Sequence, residues 1–139
     1  MPVSARLTPG TALPERAHEA TNVSLFLYNA AVWNAHRIHY DEPYTTQVEH
    51  HPGIIIDGPL QGDWLTQVVL EWLGDDGTLI EFEYSNRRAA VLGETLTAGG
   101  SIRAVDGDTV TLDLWIRNET GEVTAPGRAV VRLSPAANP

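Results

Sequence analysis

A chain of 139 residues with 42% hydrophobic and 19% charged residues has the size and composition of one ordinary globular domain, and no apolar run approaches the ~18 residues of a membrane span. A formal net charge of −9 disfavours nucleic acid as a partner, and the absence of cysteine excludes disulfides, thiolate metal sites and a cysteine nucleophile. All 9 basic side chains are arginine, which excludes lysine Schiff-base chemistry and leaves groups suited to bidentate contact with carboxylate or phosphate.

Residues 1–20 contain Pro2, Pro9, Gly10 and Pro14 with weak periodicity and read as an extended lead-in, with little structure before Thr11. The domain proper is expected over residues 21–135. No continuous apolar segment lies between Arg6 and Arg16, so a secretory signal is not expected and the cytoplasm is the default location. From Ser24 to Ala35, Leu25, Tyr28 and Val32 fall at helical spacing with Ser24 available as the N-cap, which predicts a short helix leading into a polar loop. Residues 40–53 combine Asp41, Pro43, His50, His51, Pro52 and Gly53 and read as a surface loop with room for one helical turn.

Ile54, Ile55 and Ile56 form a β-branched run, after which Asp57 is placed to cap a helix and Pro59 suits its first turn. The helix is expected to run to Leu73 with Gly74 ending it. Leu60, Trp64, Leu65, Val68, Val69, Leu70, Trp72 and Leu73 cover more than one stripe, which predicts burial on most sides, with both tryptophans in the core. Beyond Gly74 the period changes to two: Ile80, Phe82 and Tyr84 form the apolar face of one strand, Val110, Leu112, Leu114 and Ile116 of another, and Ala129, Val131 and Leu133 of a third. Thr95–Ala104 supplies a further strand, and Asp106-Gly107 and Asn118–Gly121 carry the turn residues between antiparallel neighbours. One long helix followed by four strands predicts an α+β fold, an antiparallel sheet wrapped around a central helix.

The residues with chemical potential cluster in Asn34-Ala35-His36-Arg37-Ile38-His39-Tyr40-Asp41 and, about a dozen residues later, Gly53-Ile54-Ile55-Ile56-Asp57-Gly58-Pro59-Leu60-Gln61. These two linked motifs resemble the hydratase 2 signature of MaoC-like hot-dog proteins, with the closer likeness to the type 2 hydroxyacyl-thioester dehydratases. The resemblance extends from Leu25 to Leu133, including the closing Gly127-Arg128-Ala129-Val130-Val131-Arg132-Leu133.

It implies a single hot-dog domain that hydrates an enoyl thioester or dehydrates a 3-hydroxyacyl thioester, on coenzyme A or acyl carrier protein, without metal or redox cofactor. In the family pattern, written G-D-x-N-P-x-H, an aspartate and a histidine five positions later hold the water. His39 matches the histidine as acid/base, and Asn34 stands where the aspartate is usual. A carboxamide can hold a water but cannot take a proton as a carboxylate can, so His39 carries more of the proton transfer, with His36 as a secondary helper. Gly58 is assigned by resemblance to the oxyanion hole; Pro59 has no N–H to give, and Leu60 is the neighbouring second donor.

Arg37, Arg87, Arg88 and Arg103 are the basic groups available to a carrier's phosphates. His50 and His51 lack a third ligand at a recognised spacing and read as surface loop. Two other readings stay open: a thioesterase using Asp57 or Asp63, and a catalytically silent subunit, which an asparagine at position 34 would permit. The resemblance and the open sheet edges also imply a homodimer, or a heterodimer with another hot-dog subunit.

Overall fold

The computed structural model describes residues 7–135. In chain order it contains β1 (Arg16–Glu19), α1 (Asn22–Ala31), a 3₁₀ turn (Arg37–His39), α2 (Glu42–Gln47), α3 (Gly58–Leu73), β2 (Gly77–Tyr84), β3 (Thr95–Asp106), β4 (Thr109–Arg117) and β5 (Val123–Leu133). The strands form one antiparallel sheet in the order β1-β3-β4-β5-β2, curled around α3. This is the α+β architecture that the pattern of elements predicts.

α3 forms because Gly58-Pro59 opens it and Gly74 closes it at a positive φ of 56°, which glycine adopts without strain. Trp64, Leu65, Val68, Val69, Trp72 and Leu73 lie buried against the inward side chains of β3 (Leu96, Ala98, Ile102), β4 (Val110, Leu112, Leu114, Ile116) and β5 (Ala129, Val131, Leu133). Each fully buried Leu, Ile or Val contributes about 1.5–3 kcal/mol, so this one interface dominates the stability. The helix approaches the sheet closely because small residues face it. A Cβ on Gly62 would lie 2.6 Å from the Tyr84 ring, and one on Gly127 3.0 Å from Leu65.

β3, β4 and β5 form the expected meander. Asp106 pairs with Thr109 across a tight loop in which Gly107 takes φ 60°. At the other turn Asn118 Oδ1 accepts from the backbone N–H groups of Thr120 and Glu122.

Several expectations are corrected. A fifth strand, β1, lies inside the segment read as a lead-in: Arg16 to Glu19 pair with Ala98 to Thr95, Ala12 bridges Ser101, and Leu13 is buried. The earliest part of that lead-in, residues 1–6, lies outside the described residues. α1 is capped by Thr21, with Ser24 at the third helical position completing a reciprocal capping box, and it stops at Ala31. Its buried positions are Leu25 and Asn29, whereas Val32 is exposed. α3 is amphipathic, with Asp63, Gln67, Leu70 and Glu71 along a solvent-facing strip. In β2 the register shifts between Leu79 and Glu81, so Ile80 is an extra residue turned outward and Leu79 packs on the core in its place.

Candidate active site

Three chain segments meet at the N-terminal end of α3. The first is the 3₁₀ turn, fixed because Ile55 N–H donates to the Ile38 carbonyl at 2.9 Å and because Arg37 pairs with Asp41 at 2.8 Å while stacking over Tyr44. Asp41 in turn caps α2 by accepting from Tyr44 N–H, and the Arg37 hydrogen bond, with that cap, holds its carboxyl below the ordinary carboxylate range. The second is the Ile54–Ile56 run, bound to the segment after β2 by Ile56 N–H to the Ala90 carbonyl and Leu92 N–H to the Ile54 carbonyl. The third is α1, which carries Asn29.

His39 is buried, and its Nδ1 lies 2.7 Å from the Ile55 carbonyl oxygen. A carbonyl can only accept, so Nδ1 carries the hydrogen and the other ring nitrogen, Nε2, is left out of that bond. Nε2 stands 3.4 Å from Asp57 Oδ2, and Asp57 has no solvent exposure. Asn29 Nδ2 donates to Asp57 Oδ1 at 3.0 Å and Asn34 Nδ2 to Asp57 Oδ2 at 3.4 Å. The orientation of the Asn29 amide is fixed by chemistry: Nδ2 also donates to the Leu25 carbonyl at 2.8 Å, and both of its partners are acceptors. Asn29 Oδ1 is left buried without a partner among the described residues.

The expected site residues are therefore partly brought together. Asn34 and His39 converge, but on Asp57. Asn34 Oδ1 accepts from His36 N–H at 3.0 Å, which leaves the amide one N–H and one lone pair for a water. Asp57 does not cap α3 with its side chain, a correction to the sequence reading; its carboxylate faces His39 and the two asparagines instead. His36 is exposed and packs its ring edge-on against His39, centroids 5.7 Å apart.

Gly58 and His39 line one recess of about 320 Å³ together with Ile38, Gln61, Asn86 and Arg87. A Cβ at position 58 would lie 2.1 Å from Asn86 Nδ2, so the close crossing of Asn86 demands glycine. The N–H groups of Gly58 and Leu60 lie in the first turn, where no carbonyl of the helix accepts them. Arg88 also lines this recess and pairs with Glu122, and Arg87 donates from Nε to Ser85. Arg37 is engaged by Asp41 and Tyr44 and Arg103 by Asp113, and neither lines the recess. His50 and His51 sit in the turn after α2, and His50 has φ 59°.

A second hollow, about 350 Å³ and mostly apolar, lies on the other side of Asn34 and Asn29, lined by Phe26, Ala30, Trp33 and Tyr40. Trp33 is 94% exposed and adopts φ 56°, an uncommon conformation for a bulky residue. On α1, the half-buried Tyr28 is hydrogen-bonded to Asp63 of α3. Burial first, then the charges of Asp63 and Asp57, push its hydroxyl up to about 12, which keeps it a neutral donor. Sequence reasoning missed Asn29, although a carboxamide one turn after the buried Leu25 was the available signal: a polar group on a packed face must have a partner.

Comparison with known proteins finds likenesses in sequence and in fold. The family model of hydroxyacyl-thioester dehydratase type 2 matches residues 4–92. The mesaconyl-C(4)-CoA hydratase of Chloroflexus aurantiacus is 53% identical over 36 residues, 26% of this chain and 13% of that protein. The mitochondrial hydroxyacyl-thioester dehydratase type 2 of Schizosaccharomyces pombe is 40% identical over 40 residues, 29% of this chain and 13% of that protein. The matched stretches thus span a small fraction of either curated relative.

Among solved structures, the (R)-hydratase of A. caviae involved in PHA biosynthesis superposes with a TM-score of 0.83 at 19% identity, covering 92% of this chain and 98% of that one. The ChsH1-ChsH2 complex of Mycobacterium tuberculosis gives 0.83 at 16% identity, covering 92% and 99%. A MaoC-like dehydratase gives 0.86 at 21%, covering 96% of this chain and 42% of that one. These likenesses establish the hot-dog fold. With the family model matching well over half its length, through both motifs that build the site, the chain belongs to the hydroxyacyl-thioester dehydratase type 2 family.

Proposed function

We propose that the chain catalyses the reversible hydration of an enoyl thioester to a 3-hydroxyacyl thioester, carried on coenzyme A or acyl carrier protein. The observation that carries this reading is the His39 ring, locked through Nδ1 to Ile55 with Nε2 left for chemistry, in one recess with Gly58 at the start of α3. Hydration needs two things: a group that moves a proton between water and C2, and donors for the negative charge that develops on the thioester oxygen. His39 serves the first as acid/base. The Gly58 N–H serves the second, supported by Leu60 N–H and the positive end of the helix. Asn34 turns the water toward C3 with its remaining N–H and lone pair. Arg87 and Arg88 line the same recess and suit the phosphates of the carrier. The chemistry calls on no metal or redox cofactor.

A thioesterase reading finds less support, because Asp57 is enclosed by Asn29, Asn34 and His39 and Asp63 is bonded to Tyr28. Pairing with a second hot-dog subunit is part of the proposal, since β1 and β2 end the sheet and each presents an edge that no other described strand pairs with. No helix among the described residues is long and apolar enough to cross a membrane.

The test follows the ultraviolet band of crotonyl- and longer enoyl-coenzyme A. Loss of the band without release of free thiol, abolished in His39→Ala, is expected. Thiol release instead would replace the reading by a thioesterase. Absence of turnover for every substrate, alone and with a hot-dog partner added, would replace it by a silent subunit.

A further inference from the structure

We propose that Asp57 is the carboxylate partner of His39, a positioning residue that shares with Nε2 the single proton which hydration moves. The inference rests on the hydratase reading above and deepens it. With Nδ1–H committed to Ile55, Nε2 of a neutral ring is an acceptor, and it faces a carboxylate oxygen, a second acceptor, at 3.4 Å. The side chains are only 9% and 0% exposed, so solvent does not relieve the opposition. A proton between Nε2 and Oδ2 does.

The rest of the surroundings requires the same proton. Among the described residues, the other groups hydrogen-bonded to the Asp57 carboxylate are the neutral amides of Asn29 and Asn34, the Tyr28 hydroxyl that feels its charge is neutral, and no arginine pairs with it. A buried carboxylate in neutral company is costly without a cationic or protonated partner. Helix capping does not account for its burial either, because its side chain makes no cap hydrogen bond. The amide at position 34 cannot take a proton, and Asp57 is the carboxylate against His39.

The step balances within this pair. Water oxygen bonds to C3, the π electrons of C2=C3 move onto the thioester oxygen at Gly58 N–H, and the Nε2 proton passes to C2 as that carbonyl re-forms. The proton lost by the added water returns to Nε2 beside Asp57, and the pair is unchanged. Asp57 acts through His39 by stabilising the imidazolium and fixing its direction, while Asn29 and Asn34 hold the carboxylate in place.

The experiment compares wild type, Asp57→Asn and the relocated-carboxylate double variant Asn34→Asp/Asp57→Asn, each checked by thermal melting. On crotonyl-coenzyme A, Asp57→Asn is expected to lower kcat by about 10²–10³-fold, with KM changed by less than about threefold. Moving the carboxylate to position 34 is expected to restore at least about tenfold of the loss, a recovery that a purely structural defect at 57 would not show. Retention of wild-type kcat by Asp57→Asn overturns the inference and leaves the hydratase reading standing.

A second arm needs no turnover. Nitrogen-15 spectra of the His39 ring at neutral pH are expected to show protons on both nitrogens in wild type and on Nδ1 alone in Asp57→Asn. A wild-type ring protonated only on Nδ1 overturns the shared proton. Failure of wild type to hydrate any substrate, with the two-proton ring present, sinks the hydratase reading and upholds the pair.

Discussion

The hold of Asn29 on Asp57 can be tested by energetics alone. Asn29→Ala removes the Nδ2 donor 3.0 Å from Oδ1 and the one 2.8 Å from the Leu25 carbonyl, and it also removes the unpartnered Oδ1. A hydrogen bond to a charged acceptor contributes about 1.5–3 kcal/mol and the bond to the carbonyl about 1 kcal/mol. Removing the unpartnered oxygen returns about 1–3 kcal/mol. The net cost expected of the single variant is about 1–2 kcal/mol.

The sharper quantity is the coupling, because the small cavity and the lost Leu25 bond are common to both backgrounds of a double-mutant cycle. Asn29→Ala measured in wild type and in Asp57→Ala should differ by about 2 kcal/mol. For 139 residues the unfolding entropy is about 0.3 kcal/mol/K, so the difference corresponds to about 7 °C in Tm. Urea titrations of the four proteins at pH 7 supply the free energies, and thermal melts check them. An equal loss in both backgrounds would refute the claim that Asn29 is there to hold the carboxylate.

Three further outcomes follow from other parts of the structure. His18 stacks on Trp64 at 4.3 Å with Nε2 buried and, among the described residues, unpartnered, and burial, reinforced by Arg16, lowers its pKa below 6.5. The unfolded chain therefore takes up that proton first as pH falls through 6.5, and stability is lost from there down to the depressed folded value. His18→Phe should show a shallower fall of Tm between neutral and mildly acid pH, and an identical slope would contradict the assignment.

Trp33→Gly should stabilise the protein by about 1 kcal/mol in urea, because glycine adopts φ 56° freely and the exposed indole contributes little packing. A loss of stability would show that the indole is held by contacts its exposure does not reveal. Leu79→Ala should cost about 1–2 kcal/mol whereas Ile80→Thr changes stability by less than about 0.5 kcal/mol. The reverse order would place the bulge elsewhere in β2.

The sequence was readable wherever one physical term dominates. Period-two alternation in Val110 to Ile116 names the buried face of β4 because one side of that strand meets α3 and the other meets water. Gly58-Pro59 and Gly74 bound α3 through backbone geometry that few other residues permit. His39 and Gly58, singled out through the linked motifs, line one recess in the structure.

What escaped reading was decided by contacts distant in sequence. Asp57 has the local chemistry of an N-cap, but tertiary hydrogen bonds from Asn29 and Asn34 outcompete the cap. β1 is a four-residue strand specified by the edge of β3 rather than by its own pattern. The bulge at Ile80 exchanges the roles of two adjacent apolar residues, Leu79 and Ile80, which alternation cannot separate.

The strand order also governs how the chain folds. Arg16 must find Ala98 and Gly77 must find Leu133, so both outer strands close by pairing with residues far along the chain. Such non-local pairing slows folding to roughly milliseconds to seconds. Between β2 and β3 the polypeptide crosses from one edge of the sheet toward the other, carrying Asn86, Arg87 and Arg88 over the start of α3. The recess thus acquires its last wall only when β2 has docked on β5. In refolding, helical signal should return first and ligand binding last, and cutting that crossing segment should empty the site while leaving the β3-β4-β5 meander intact.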